Sequence, residues 1–148
     1  MSNILDIEDG MLMEYFGDGG ELVIPEGVRD IFFEVFEHNA EITRVIIPGS
    51  ITDLTLSAFS GCTALREAIL SEGVEIIGAW AFENCTALSR VMLPASLKEI
   101  QKNAFAGCTA LREICYGGTK NDWGKAKTGY NHTPFLPVPG LFEQTPRK

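Results

Sequence analysis

Cys62, Cys85 and Cys108 lie 23 residues apart, and the same interval separates Phe36, Phe59, Phe82 and Phe105. It also relates Ile42, Leu65, Leu88 and Leu111, and then Ile24, Ile47, Leu70 and Leu93, a column that Tyr116 extends. Val28, Ile51, Val74 and Leu97 form a fifth column, and Ile31, Leu54, Ile77 and Ile100 a sixth. All six stay in register without an insertion. A unit of this size cannot bury its own apolar face, so successive units must stack, each column packing on the next to make one continuous core. The period therefore predicts four stacked coils over residues 24–115.

Within a unit, Leu65-x-x-Ala68-x-Leu70 reads as a short strand and Ser71-Glu72-Gly73 as the turn after it. In three of the four copies the strand ends at Pro25, Pro48 or Pro94. Proline has no N–H to donate and stops the ladder at that point. The stretch Ile77-Gly78-Ala79-Trp80-Ala81-Phe82 reads as a helical turn with its Phe pointing inward. Strands of successive coils must pair in parallel, about 4.8 Å apart. The expected product is a curved parallel sheet on the concave face and short helical or 3-10 turns on the convex face.

The unit Ile-Gly-x-x-Ala-Phe-x-x-Cys-Thr-x-Leu-x-x-Val-x-Leu-Pro is carried almost letter for letter by residues 77–94, IGAWAFENCTALSRVMLP. It resembles the BspA-like, or treponemal-type, leucine-rich repeat of bacteria, and the resemblance spans roughly residues 20–120. Ile7-Glu8-Asp9-Gly10-Met11-Leu12 with Tyr15 is similar to the opening cap of these proteins, and Tyr116-Gly117-Gly118-Thr119 followed by Trp123 to their closing segment. The resemblance implies a right-handed leucine-rich-repeat solenoid and a role in adhesion or protein binding, often at a cell surface, and it implies no catalytic residues. The first unit departs from the pattern: Phe32-Phe33 replaces the Gly-x pair and Asn39 replaces the Cys. A differently shaped convex side is expected there.

An open solenoid exposes its core at both ends, so terminal units must be atypical. Met11-Leu12-Met13-Glu14-Tyr15-Phe16 and Glu21-Leu22-Val23-Ile24 flank Gly17-Asp18-Gly19-Gly20, which predicts an N-terminal β-hairpin cap. The expected organisation is a single leucine-rich-repeat domain. It has an N-terminal cap over residues 1–23, four repeats over 24–115, and a C-terminal cap over 116–132 with Trp123 laid over the last coil. A tail over 133–148, holding Pro134, Pro137, Pro139 and Pro146, is extended and either disordered or laid over that cap.

Of the 148 residues, 45% are hydrophobic and 22% charged, enough apolar material for a core. With 12 Lys and Arg against 20 Asp and Glu, the formal net charge is -8. Phosphate binding needs a basic face, so no nucleic-acid partner is expected and anionic membrane surfaces are disfavoured. No apolar run reaches the roughly 18 residues of a membrane-spanning helix, so no membrane insertion is expected. The opening Met1-Ser2-Asn3-Ile4-Leu5-Asp6-Ile7-Glu8-Asp9 has neither a basic n-region nor an apolar h-region. As written, the chain is expected to stay in the compartment where it is made, whereas the family it resembles is often exported; the compartment stays open between these two.

Side chains alternate along a strand. If Ala68 and Leu70 point inward, Glu67 and Ile69 point outward, and the period extends each into a stripe. One runs Glu21, Arg44, Glu67, Arg90, Glu113 and alternates in sign. It reads either as a self-neutralising ladder that sets register or as a contact for a partner of mixed charge. The other runs Val23, Ile46, Ile69, Met92, Cys115 and is apolar on the face expected to be wet. Either the tail or a neighbouring copy covers it, or it is the centre of a protein-binding surface. The candidate partner-binding residues are therefore Ile46, Ile69 and Met92 as anchors, with Arg44, Glu67, Arg90 and Glu113 as the rim.

Three cysteines in one column cannot all pair, and their spacing lacks the close Cys-x-x-Cys pairs of a zinc site. Buried thiols that bond weakly to the turn backbone are expected, except at Cys115, which the outward stripe predicts to be accessible and reactive. His38 and His132 do not recur in the repeat and read as solvated surface residues. Asp9 and Asp18 lie in Gly-rich turns, which suit backbone geometry before calcium. Trp80 shares a column with Glu34, Ser57 and Asn103, so it is either an exposed contact point or a lid over a neighbouring turn. No P-loop, dinucleotide fingerprint, nucleophile elbow or zincin motif is present. The sequence thus points to a non-catalytic interaction module without cofactor or metal, acting on a protein partner, monomeric or weakly self-associating. The alternative is a structural spacer or one repeat block of a larger bacterial surface protein.

Overall fold

The computed structural model describes residues 4–118 together with the backbone of residues 127 and 128. The expected packing of Trp123, the course of the tail over 133–148 and the setting of His132 lie outside the described residues.

Strand alternation sets the main sheet. It consists of β3 (Gly20–Val23), β5 (Ile42–Ile47), β7 (Glu67–Leu70), β9 (Arg90–Leu93) and β11 (Glu113–Tyr116), one from each coil. These five strands are parallel and lie in chain order from β3 at one edge to β11 at the other. Residues one period apart face each other, as Ile46 faces Ile69 and Ile69 faces Met92. A second parallel sheet is made of the two-residue strands β6 (Asp53–Leu54), β8 (Ile76–Ile77), β10 (Glu99–Ile100) and β12 (Lys127–Thr128). The molecule is a parallel β-solenoid of about five coils.

All six columns point into the shared core, with only Leu111 left partly exposed. The rings of Phe36, Phe59, Phe82 and Phe105 stack one on the next, with centroids 5.1, 5.6 and 5.3 Å apart and interplanar angles of 10°, 7° and 8°. This offset stacking adds to the area that each ring buries. The Cys column has a specific function in the stack: the thiols of Cys62, Cys85 and Cys108 donate to the carbonyls of Phe36, Phe59 and Phe82 in the preceding coil, at 3.1, 3.2 and 3.1 Å. Buried, unpaired thiols bonded to the turn backbone are therefore observed.

The side opposite the main sheet corrects the expected helical turns: no helix occurs among the described residues. In the second coil, Ala58, Ser60 and Cys62 donate their N–H groups within the coil, to Thr55, Ser57 and Phe59. The alternate residues Ser57, Phe59 and Gly61 donate instead to Ala79, Ala81 and Glu83 of the next coil. An α-helix requires consecutive right-handed residues bonding to their own chain. Here Glu34, Ser57, Trp80 and Asn103 all have positive φ, between 57° and 71°, and His38, Gly61, Asn84 and Gly107, one turn further on, have positive φ between 60° and 79°. Half of the N–H groups thereby turn toward the neighbouring coil, and the stack gains a ladder of hydrogen bonds beyond those of its two parallel sheets. Stacking overrides a local composition (Ala-Trp-Ala-Phe-Glu) that would otherwise favour a helix.

The N-terminal hairpin exists, but its strands are not those expected. β1 (Leu5–Glu8) pairs antiparallel with β2 (Met11–Tyr15) around Asp9-Gly10. Both turn residues have positive φ, 52° and 81°, as a two-residue type I′ turn demands. Asp9 is thus a turn residue. β2 then pairs in parallel with β4 (Asp30–Ile31). The segment around Gly17-Asp18-Gly19-Gly20 carries the chain across to the main sheet, where β3 pairs with β5. The N–H of Gly19 donates to the Tyr15 hydroxyl at 2.9 Å and that of Gly20 to the Glu41 carbonyl at 2.9 Å.

Candidate binding face

The register places all seven candidate residues on the outward face of the main sheet. Glu21, Arg44, Glu67, Arg90 and Glu113 stand side by side along one row, and Val23, Ile46, Ile69, Met92 and Cys115 along the next.

The charged row pairs with itself. Arg44 Nε donates to Glu67 Oε1 at 2.7 Å, and Arg90 Nε lies 3.2 Å from Glu113 Oε2. Arg44 also pairs with Glu21, and Arg90 with Glu67. Glu67, at the centre, takes one guanidinium on each side. Its partial burial pushes the carboxyl upward, but the hydrogen bonds from Arg44 and Arg90 outweigh this and hold it below the ordinary carboxylate value. The hydrogen bond to Glu67 likewise holds the Arg44 guanidinium above its usual value. The geometry is that of the self-neutralising ladder.

The apolar row is graded along the solenoid. Val23 is 55% exposed; Ile46, Ile69 and Met92 are half-buried; Cys115 is only 2% exposed. The expectation of an accessible, reactive Cys115 is therefore wrong. Its sulfur is reached by the long side chains of the charged row: Arg90 Nη2 lies 3.9 Å away, and the thiol donates to Glu113 Oε2 at 3.7 Å. Burial pushes this thiol up from its ordinary value, against the opposing effect of Arg90. Arg90 also reaches Met92 Sδ at 3.7 Å. The two rows are thus joined at the β9 and β11 end and separate at the β3 end, where Val23 stands open. Sequence reasoning placed Val23 in the row but did not mark it as an anchor; its exposure goes with its place on β3, the edge strand of this sheet among the described residues.

Trp80 is half-buried and adopts the positive φ of its column; Lys102 Nζ stands 5.5 Å from its ring centroid, a cation–π contact between coils. His38 is exposed and occupies the second positive-φ column, and its N–H donates to the Ser60 carbonyl at 2.7 Å. Among the described residues no group of three His, Cys, Asp or Glu could hold a metal ion.

In-register columns, short parallel strands and an inward phenylalanine stack define a leucine-rich-repeat solenoid. The family described as BspA type Leucine rich repeat region matches residues 19–125 in six copies, and the chain belongs to that family. No curated protein matches the chain. Among solved structures, it is similar to a leucine rich cell surface protein from Faecalibacterium prausnitzii at 28% identity and a TM-score of 0.57, over 72% of this chain and 34% of that one. It is also similar to a leucine-rich repeat protein from Eubacterium ventriosum at 24% identity and a TM-score of 0.67, over 82% of this chain and 36% of that one. The T. pallidum leucine rich repeat protein TpLRR matches at 26% identity and a TM-score of 0.46, over 74% of this chain and 45% of that one. The chain thus spans less than half the length of each of these three solved relatives.

Proposed function

We propose that the chain is a non-catalytic protein-binding module of the adhesion type, which engages its partner with the outward face of the main sheet. The observation that carries this reading is the apolar row. Val23, Ile46, Ile69 and Met92 stand on four adjacent strands in register, and Val23 is 55% exposed where a lone solenoid gains nothing by showing it to water. Ile46, Ile69 and Met92 are the anchors, and Arg44, Glu67, Arg90 and Glu113 form a polar rim of fixed alternating sign. The net charge of -8 favours a protein partner over nucleic acid. The test is a triple Ile46/Ile69/Met92→Ser variant, verified as folded and compared with the parent in affinity capture. Loss of the captured partner is expected; an unchanged set of captured proteins rejects the sheet face.

A second reading, a spacer or repeat block of a larger surface protein, is favoured by the chain's span of 34% and 36% of two solved relatives, one of which is a cell surface protein. It predicts that the same triple variant leaves every interaction of the protein intact.

A further inference from the structure

The first coil breaks the repeat pattern on the turn side, and the structure gives that break a shape. A cavity of about 240 Å³ opens between residues 13–15 of the hairpin and residues 32–35 of the first coil. Phe32 and Phe33 form one wall, with ring centroids 4.7 Å apart at 49°. They are 41% and 61% exposed, far beyond the norm for rings that dominate cores elsewhere in this chain. Two exposed carboxylates, Glu14 and Glu34, line the same opening. Asp6 stands directly opposite Glu14 in the hairpin. Among the described residues none of these three acids forms an ion pair. Like charges placed opposite each other across a strand pair are unfavourable.

We propose that this opening is a second docking site, distinct from the sheet face, that takes the cationic side chain of an arginine- or lysine-bearing segment of a partner protein. The chemistry is complementary on both counts. A guanidinium or ammonium is drawn to an aromatic face, and a carboxylate beside the ring supplies the charge-assisted hydrogen bond. The same two columns already hold such a contact further along the solenoid. Lys102 belongs to the column of Phe33 and Trp80 to that of Glu34, and Lys102 Nζ stands 5.5 Å from the Trp80 ring. At the first coil the columns supply the aromatic ring and the acid, and the partner brings the cation. In the later coils the positions of Phe32 and Phe33 are taken by Thr55-Leu56, Gly78-Ala79 and Gln101-Lys102; Leu56 is also exposed, but no aromatic pair recurs, so the ring wall is not a by-product of the repeat.

The probe is the peptide acetyl-Gly-Gly-Arg-Gly-Gly-amide, titrated into the full chain while the ring signals of Phe32 and Phe33 are followed by NMR. Saturable movement of these signals is expected, weakened about ten-fold or more when citrulline replaces arginine. The same weakening is expected in the Glu14→Gln/Glu34→Gln variant, and a smaller one in Phe33→Leu, which keeps apolar bulk and removes the ring. Three results would each overturn the proposal: no saturable movement, equal affinity for the citrulline peptide, or ring signals that move with protein concentration alone, which would make a second copy the occupant. The citrulline comparison uses the unaltered protein, so it decides the question even if a variant fails to fold.

Discussion

Replacing Phe82 with alanine tests the stacked spine most directly. Phe82 is fully buried, with Phe59 at 5.6 Å on one side and Phe105 at 5.3 Å on the other. Truncating a buried Phe to Ala costs about 3–5 kcal/mol, and with a ring on each side the value should fall in the upper half of that range. Phe82→Leu keeps most of the volume and should cost about 1–2 kcal/mol, largely the lost ring–ring preference of about 0.5–1.5 kcal/mol per pair. Urea melts followed by circular dichroism measure both. A double-mutant cycle then separates stacking from burial. Leucine at Phe59 and Phe82, adjacent in the spine, should couple by about 0.5–1.5 kcal/mol, whereas leucine at Phe36 and Phe82, two coils apart, should be additive. A cost of Phe82→Ala below about 1 kcal/mol, or equal coupling for both pairs, would refute the claim that neighbouring coils stabilise each other through this column.

Glu67 provides a pH test. Its folded carboxyl lies below the ordinary value because the two guanidinium hydrogen bonds outweigh burial, so its contribution is complete above the unfolded carboxylate pKa of about 4.3 and is lost as pH falls below it. The stability gap between the parent and Glu67→Gln should be about 0.5–2 kcal/mol at neutral pH, shrink with salt, and narrow as pH falls below the unfolded carboxylate range; a gap that does not narrow in acid contradicts the ladder. For the thiols, all four cysteines are buried and unpaired, so a thiol reagent should label the folded chain only as fast as it opens and titrate four groups in denaturant. Rapid labelling of Cys115 in the folded protein is the result that fails this reading.

The period of 23 made the coil architecture legible, because identical spacing of Phe, Cys and aliphatic residues has one physical solution, stacking in register. Both rows follow from strand alternation, and the register sets their members side by side, although Cys115 at the end of the apolar row is buried. What could not be read was where the backbone hydrogen bonds of the turn side go. Residues 77–82 have a helical composition, but the positive φ of Trp80 and the donation of the Trp80 N–H to the Lys102 carbonyl depend on a neighbouring coil. The Gly-rich segment Gly17-Asp18-Gly19-Gly20 predicts the hairpin, whereas the chain turns at Asp9-Gly10, and the two-residue Asp-Gly turn is the stronger hairpin signal. Cys115 shows the limit of alternation. It fixes the face a side chain leaves from but not its burial: Cys115 is almost fully buried, with Arg90 and Glu113 reaching its sulfur from the adjacent row.

The coils also come in two kinds, and neighbours are always of opposite kind. Beyond the alternation of Glu and Arg, one column reads Gly27, Ser50, Gly73, Ser96. Ser50 Oγ accepts from the Gly27 N–H at 3.1 Å and donates to the Val28 carbonyl at 2.6 Å. Ser96 repeats this on Gly73 and Val74, at 2.9 and 2.8 Å. A slip by one coil would set Arg44 against Arg90 and Ser50 against Ser96, losing ion pairs and side-chain caps together, so the alternation specifies the order of coils where the apolar columns alone do not. It also determines what the sheet face offers a partner. Each arginine has a glutamate on both sides, while Glu21 and Glu113, at the ends of the row, each pair with one arginine. The middle of the ladder is therefore neutralised and its residual negative charge lies at the ends. In the proposed binding mode the ladder orients the partner and contributes little affinity, since exposed pairs of this kind are worth only about 0–1 kcal/mol. In that mode the affinity comes from the apolar row, from the anchors Ile46, Ile69 and Met92 together with the open Val23 at its end.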